Sequence, residues 1–229
     1  MTDLPTTDRL SADLIATLFP GDVAVCTHRI DDHFTQLHPA EQACLGKVVQ
    51  KRRNEFSTGR LCAGQALASL GIQGHPVLPG DKREPCWPAG VVGSITHSHE
   101  LGVAVVSQDP RIGALGIDVE TRSGISDGVR DAVCVPDELA ALPPALNRPE
   151  VWKLIFSAKE SVYKCLFPLR RDWIGFAQAS LRFDFGEGSF VPLMDPALGI
   201  EHTVLERLRG RFVFSEDYLF TALTYQRES

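Results

Sequence analysis

Apolar positions along the chain change their period several times, and each change predicts an element. Residues 22–30 alternate apolar with polar, the period of a half-buried strand. From 39 to about 70 the pattern is helical, polar at first and then apolar through Phe56, Leu61, Ala63, Ala66, Leu67 and Leu70. Gly71 is a natural stop for it. Residues 74–90 hold four prolines and three glycines and are expected to be loop. Residues 91–96 and 101–107 flank a polar turn and predict a β-hairpin. Residues 112–120 form an apolar strand interrupted by acids. Residues 121–150 are polar, with a short helix start at Pro136-Asp137-Glu138. A second apolar helix is expected over 151–166, ended by Pro168. Strands are expected over 179–185, 189–193, 205–214 and 218–225. Residues 1–20 read as a loosely attached lead-in, with Leu10, Leu14, Ile15 and Leu18 on a short amphipathic segment.

A faint repeat accompanies this pattern. Phe56-Ser57-x-x-Arg60 and Phe156-Ser157-x-x-Glu160 occupy corresponding places on the two long helices. The strand pair at 91–107 has a counterpart near 211–225.

Composition adds limits. The 229 residues fit one unit or two small halves, and 44% hydrophobic with 23% charged residues is ordinary for a globular chain. No apolar run approaches ~18 residues, and the N-terminal residues lack a secretory pattern. No membrane association and a cytoplasmic location are therefore expected. Six cysteines at wide, irregular spacing are expected to be reduced thiols. A net charge of −6 argues against nucleic acid as a partner. The charge is uneven, however. Residues 47–83 hold Lys47, Lys51, Arg52, Arg53, Arg60, Lys82 and Arg83 against Glu55 and Asp81, a local net of +5. Such a stretch is either a solvated helix face or a site for an anion.

Two runs carry chemistry. In Gly116-Ile117-Asp118-Val119-Glu120 the acids are two apart, so on a strand they share a face. They form an oxygen-rich patch of the kind Mg2+ uses together with substrate phosphates. As residues on a polar strand face, they are expected to be exposed, with Asp118 replaceable by alanine at no cost to the fold. In Phe156-Ser157-Ala158-Lys159-Glu160-Ser161-Val162-Tyr163-Lys164, Glu160 and Lys164 lie four apart on one helix face. Phosphoryl or phosphodiester transfer on a metal-bound pyrophosphate is the chemistry these groups suggest.

These two runs resemble the best-known motifs of the Sfp-type 4'-phosphopantetheinyl transferases. Three more stretches agree in order and spacing: Lys51-Arg52-Arg53-Asn54-Glu55-Phe56 with Gly59-Arg60, Gly80-Asp81-Lys82-Arg83-Glu84-Pro85-Cys86-Trp87-Pro88, and Gly93-Ser94-Ile95-Thr96-His97-Ser98. The resemblance covers roughly residues 47–176 and looks most like the enterobactin-type and actinobacterial branch. Threonine stands at 96 where many relatives have serine, which keeps the hydroxyl.

The resemblance implies an α+β pseudo-dimer of two similar halves, each a three-stranded antiparallel sheet on a long helix, joined near residues 114–120. Residues 1–117 would be the coenzyme A nucleotide side and 118–229 the metal and catalytic side, with the active site between them. It implies transfer of phosphopantetheine from coenzyme A to a serine of an apo acyl, peptidyl or aryl carrier domain by a monomer. Asp118, Glu120 and Glu160 would be Mg2+ ligands, and Glu160 alternatively the general base. Lys164 would stabilise the departing diphosphate, with Lys159 a weaker candidate lining the site. Asp118, Glu160 and Lys164 would also lie against coenzyme A. His97 would hold its phosphates with Thr96 alongside. Arg52, Arg60, Gly80, Asp81 and Lys82 would surround the adenine and 3'-phosphate, with Arg53 and Arg83 next, and Ile174 would line the pantetheine path. Two rivals use some of the same residues. A Mg2+-dependent nucleotide pyrophosphatase would need water instead of a carrier, and no REx2E-type acidic helix is present. A non-catalytic carrier binder would be expected to have lost an acid or Lys164, and none is lost.

Overall fold

Two long helices, each laid on an antiparallel sheet, organise the chain. The computed structural model describes residues 6–7 and 12–228. In the first half, helix α1 (Gln50–Ser69) covers a sheet of β1 (Ala24–Arg29), β2 (Val92–Ser98) and β3 (Leu101–Ser107), in the order β1-β3-β2. In the second, helix α2 (Pro149–Arg170) covers a larger sheet. Its strands are β4 (Ile112–Thr121), β5 (Ala179–Asp184), β6 (Ser189–Met194), β7 (Leu208–Ser215) and β8 (Tyr218–Gln226), in the order β4-β8-β7-β6-β5. Thr6–Thr7 adds a short parallel pairing beside Phe214 and Ser215. The α+β architecture with two subdomains is as expected. The second sheet exceeds three strands because the hairpin β5–β6 continues it past β7. Strand β4 pairs with β8 from end to end, so a boundary between residues 117 and 118 falls inside one strand.

The two sheets meet where β2 runs beside β4. There the Ile117 N–H donates to Ser94 Oγ at 3.2 Å. Alternation along each strand sorts its side chains. Ala104 and Val106 of β3 face α1 with Cys62, Ala63, Ala66 and Leu67. Leu101, Val103 and Val105 face the other way, into a core shared with Leu115, Ile117, Val119 and Phe220. Ile117 and Val119 thus point into that core, and Asp118, one residue out of phase, points toward α2. Close approach of α2 is possible because residue 116 is glycine. A Cβ there would overlap the Ser161 carbonyl and lie 2.7 Å from the Cys165 nitrogen.

Several expectations are corrected. The helix expected over 39–70 is broken: Pro39–Ala43 forms one short helix, and α1 starts at Gln50. His38 Nδ1 and the Glu41 carboxylate cap the start of the short helix, and Gly46 lies in the break between it and α1. The loop at 74–90 contains a small hairpin, Leu78–Pro79 with Pro85–Cys86. Pro168 does not end α2. It sits in the last exposed turn, where a missing N–H costs little, and Arg171 at φ +62° ends the helix. An additional helix, Asp127–Val133, precedes the expected one at Pro136–Ala141. A short helix, His202–Leu205, replaces the start of the expected strand over 205–214. The lead-in is not loose in its described part: Ile15, Leu18 and Phe19 are buried against the shared core. Leu10 lies outside the described residues. The six cysteines form no disulfide. Among the described residues no helix is long and apolar enough to cross a membrane.

Gly116→Ala forces backbone of β4 and α2 apart, so it is expected to destabilise by at least about 2–3 kcal/mol. Denaturant unfolding checks this. A wild-type midpoint would show that the helix is not packed on the strand at this point.

Candidate active site

One carboxylate gathers side chains from both halves. Asp118 Oδ1 accepts from Lys164 Nζ at 2.6 Å and from Thr96 Oγ1 at 3.0 Å. Lys164 Nζ also donates to Thr96 Oγ1 at 3.1 Å. Asp118 Oδ2 accepts from Ser157 Oγ at 2.8 Å. Ser157 in turn lies 2.9 Å from Thr221 Oγ1, which must be the donor of that pair. Four elements, β2, β4, α2 and β8, are therefore fixed to one another. The helix supplies its residues because 153, 157, 160 and 164 fall on one face.

Asp118 is only 5% exposed. The expectation that it is an exposed acid is corrected. Removing it would strand the partly buried Lys164 cation, which costs roughly 3–5 kcal/mol for a buried pair. Alanine at 118 is thus not neutral to the fold. The strand carries apolar neighbours on one side and α2 on the other, so a polar residue in phase with α2 is covered too.

Glu120 and Glu160 lie close by and are less satisfied. The Glu160 carboxylate has no hydrogen-bond partner among the described residues. Burial raises its pKa, Asp118 adds to this, and Lys164 opposes it. Glu120 meets only Lys153, at 3.9 Å. Burial and then Asp118 push its pKa up to about 7. Lys153 itself donates to Thr121 Oγ1 at 3.2 Å and Ser123 Oγ at 3.0 Å, and burial lowers its pKa. No three His, Cys, Asp or Glu side chains among the described residues converge closely enough to hold a metal unaided. Mg2+ does not require that, since it keeps waters and takes one or two carboxylates with substrate phosphates. Two underneutralised carboxylates beside a third fit such a cation.

Lys159 is committed elsewhere. Its Nζ donates to Glu138 at 2.8 Å and to the carbonyls of Val133 and Phe176, each at 2.8 Å. Glu138 also accepts from the N–H groups of Val135 and Leu181. This buried pair ties the short helices over 127–141 to α2 and β5.

A cleft of about 580 Å³ opens on the first half. Arg52, Arg60, Gly80, Arg83 and His97 line it, with Glu55. Arg60 is buried, stands over the Phe56 ring, and leaves Nε without a partner. Burial lowers its pKa, against the opposing pull of Glu41. The His97 ring is 37% exposed and 3.9 Å from Glu55. Partial burial lowers its pKa, partly offset by Glu55. Lys82 lines an adjoining groove of about 210 Å³ with Arg83, Tyr163 and Lys164, so the groove joins the two halves. Other expected residues sit differently. Arg53 turns away to Asp32 at 2.9 Å and lies over Phe34. Asp81 is exposed and lines neither space. Thr96 is buried in the Asp118 network and does not face the cleft. Ile174 lines a recess of only about 20 Å³ with Glu160, Tyr163 and Trp173. Sequence reading missed Glu55, Ser157, Lys153, Glu138 and Thr221. Of these, Ser157 and Lys153 had a signal, helical spacing from Lys164.

Comparison with known proteins identifies the family. The family of 4'-phosphopantetheinyl transferase N-terminal domains matches residues 40–107, and the 4'-phosphopantetheinyl transferase superfamily matches residues 114–220. The chain belongs to the 4'-phosphopantetheinyl transferase superfamily and is an enzyme of that class. It is 39% identical over 192 residues to the 4'-phosphopantetheinyl transferase PptT of Mycobacterium tuberculosis, covering 81% of this chain and 84% of that protein. It is 39% identical over 220 residues to the 4'-phosphopantetheinyl transferase Svp of Streptomyces mobaraensis, covering 92% and 88%. Enterobactin synthase component D of Escherichia coli K12 is 35% identical over 146 residues, covering 58% and 68%.

The raised Glu120 pKa gives a pH prediction for the metal-free protein. Its folded value of about 7 lies above the 4.5 of a free glutamate side chain. The stability tied to the protonated carboxyl is therefore full below about pH 4.5 and lost as pH rises through about 7. With chelator present, Glu120→Gln is expected to be more stable than wild type at pH 8 by up to roughly 2–3 kcal/mol. The gain should shrink toward pH 5. Urea unfolding at both pH values checks this, and a pH-independent difference would contradict it.

Proposed function

We propose that this enzyme transfers 4'-phosphopantetheine from coenzyme A to a serine of an apo acyl, peptidyl or aryl carrier domain, with Mg2+, releasing adenosine 3',5'-bisphosphate. The observation that supports it most is the adjacency of two unlike sites. A cleft lined by Arg52, Arg60, Arg83 and His97 adjoins, across a shared groove, the Asp118–Lys164 network and its acids. The cleft suits the anionic nucleotide end of coenzyme A. The acid side suits its pyrophosphate.

Glu160, whose carboxylate no described side chain occupies, takes the proton of the carrier serine. The serine oxygen attacks the phosphorus bearing pantetheine, and the bond to the neighbouring phosphate breaks. Lys164 holds charge on the departing bisphosphate, while Asp118 and Thr96 fix the position of its ammonium. Mg2+ would be held by Asp118, Glu120 and Glu160, and when bound supplies charge neutralisation at the pyrophosphate. Arg52, with Arg60 behind it, reads the ribose 3'-phosphate. On this reading residues 1–117 and 118–229 are the nucleotide and catalytic halves of a cytoplasmic monomer.

The deciding experiment mixes the protein, coenzyme A, Mg2+ and an apo carrier domain. Mass spectrometry should find the phosphopantetheine adduct on serine. Release of adenosine 3',5'-bisphosphate without adduct would mean hydrolysis instead. Two variants sharpen the assignment. Glu160→Gln should lower turnover by at least about 100-fold and change coenzyme A affinity little, since proton removal belongs to the transition state. An equal loss in both would make Glu160 a binding residue only. Arg52→Ala should weaken coenzyme A roughly tenfold and dephospho-coenzyme A much less, one charge-assisted hydrogen bond being at stake. Calorimetry on both ligands gives the comparison. Equal losses would remove the 3'-phosphate from Arg52.

A further inference from the structure

Glu84 lies outside the catalytic network, yet it touches both halves. It closes the turn at the tip of the small hairpin, residues 80–84. Within this turn the Gly80 N–H donates to the Glu84 carbonyl at 2.8 Å, and the Arg83 N–H donates to the Gly80 carbonyl at 2.9 Å. The Glu84 side chain folds back beneath it. One carboxylate oxygen accepts from the Lys82 N–H at 3.0 Å. The chain makes room for this fold-back, because a Cβ at Gly80 would overlap the Glu84 carboxylate. The other oxygen is paired with the Arg171 guanidinium. Arg171 is the left-handed residue that ends α2, about two turns beyond Lys164. Among the described residues this is the only ion pair between the hairpin and α2. The carboxylate is 11% exposed, so water competes weakly for it.

We infer that Glu84 is a positioning residue, which through Arg171 sets the Lys82–Arg83 turn, and with it the donor phosphates, against the catalytic helix. The inference rests on the proposed function, in which coenzyme A lies along this groove. Lys82 and Arg83 are exposed and line the groove that Lys164 also lines. A flexible turn would pay ordering entropy whenever the donor binds. Glu84 removes that cost by capping the Lys82 N–H, and Arg171 gives the turn a fixed distance from α2. Glu84 touches no reacting atom, so its effect should appear in donor binding rather than in chemistry.

The test measures coenzyme A affinity by calorimetry and steady-state constants by the carrier assay, for Glu84→Gln, Arg171→Ala and the double variant. Glu84→Gln keeps the size and the acceptor for the Lys82 N–H but loses the charge for Arg171. Each single variant should weaken coenzyme A about five- to tenfold, with kcat within about twofold and the carrier KM unchanged. The double variant should be no worse than the singles, because both break the same tie. Melting temperatures should stay close to wild type, since Arg171 is mostly exposed. Unchanged affinity in both singles, multiplied losses in the double, or a kcat loss equal to the affinity loss would overturn the inference. Should wild type bind coenzyme A but form no adduct, the proposed function falls while the affinity comparison still decides the role of Glu84. If wild type binds no coenzyme A, both fall.

Discussion

The ion pair between Asp118 and Lys164 is the constraint on which the arrangement of the two halves depends. It is short, 2.6 Å, and the aspartate is nearly enclosed. A buried charge of this kind persists only if it is paired and hydrogen-bonded. Thr96 and Ser157 add two donors to the one from Lys164, and Thr221 supports Ser157 from behind. Thr96 comes from β2, Ser157 and Lys164 from α2, and Thr221 from β8. Satisfying one carboxylate therefore fixes β2, β4, α2 and β8 at once. The glycine at 116 and the serine at 157 follow from the same demand. The first lets α2 come close, and the second meets the oxygen that closeness exposes.

Around this satisfied centre the neighbouring acids are left unsatisfied, and the contrast is informative. Asp118 has a cation and two hydroxyls. Glu120 has a lysine at 3.9 Å, and Glu160 has none close enough to bond. Both have raised pKa values from burial and from Asp118. A folded chain gains nothing from holding carboxylates in this way. Protonation or an added positive charge would relieve the arrangement, and on the proposed function a divalent cation brought in with the anionic donor would supply that charge. The first half is built conversely: Arg52, Arg60 and Arg83 line a cleft with Glu55 as its acid, and the buried Arg60 leaves an N–H unmet. The two deficits are of opposite charge and adjoin through one groove.

Much of this was readable in the sequence because it depends on local periodicity. Acids two apart on a strand share a face, and Glu160 with Lys164 share a turn, whatever the rest of the fold does. The hairpin at 92–107, both long helices and the strand at Ile112–Thr121 were set by patterns of the same kind. What was not readable depends on distant partners. Asp118 looked exposed because strand alternation says which face a residue takes, not what covers that face. Pro168 looked like a stop because the cost of a missing N–H depends on exposure, which the sequence does not state. Glu84 and Glu138 stood out only as members of a motif stretch and of a helix start. Their partners, Arg171 and Lys159, lie 87 and 21 residues away and reach them only once α2 has packed.

The two lysines of the helix motif show how burial separates support from chemistry. Lys159 and Lys164 are five residues apart, carry the same charge, and each pairs with a buried carboxylate. Lys159 is 1% exposed at its side chain, and all three of its N–H donors are met, by Glu138 and two backbone carbonyls. No donor remains for a ligand, and none could reach it. Lys164 is 24% exposed, uses two donors on Asp118 and Thr96, and lines the open groove. An ammonium group has three donors, so one of them is free to face the groove while the other two hold the group in place. The resemblance made both lysines candidates, Lys159 the weaker. The count of unused donors, together with the path by which a phosphate could arrive, distinguishes the residue that holds the helix from the one that can act on a ligand.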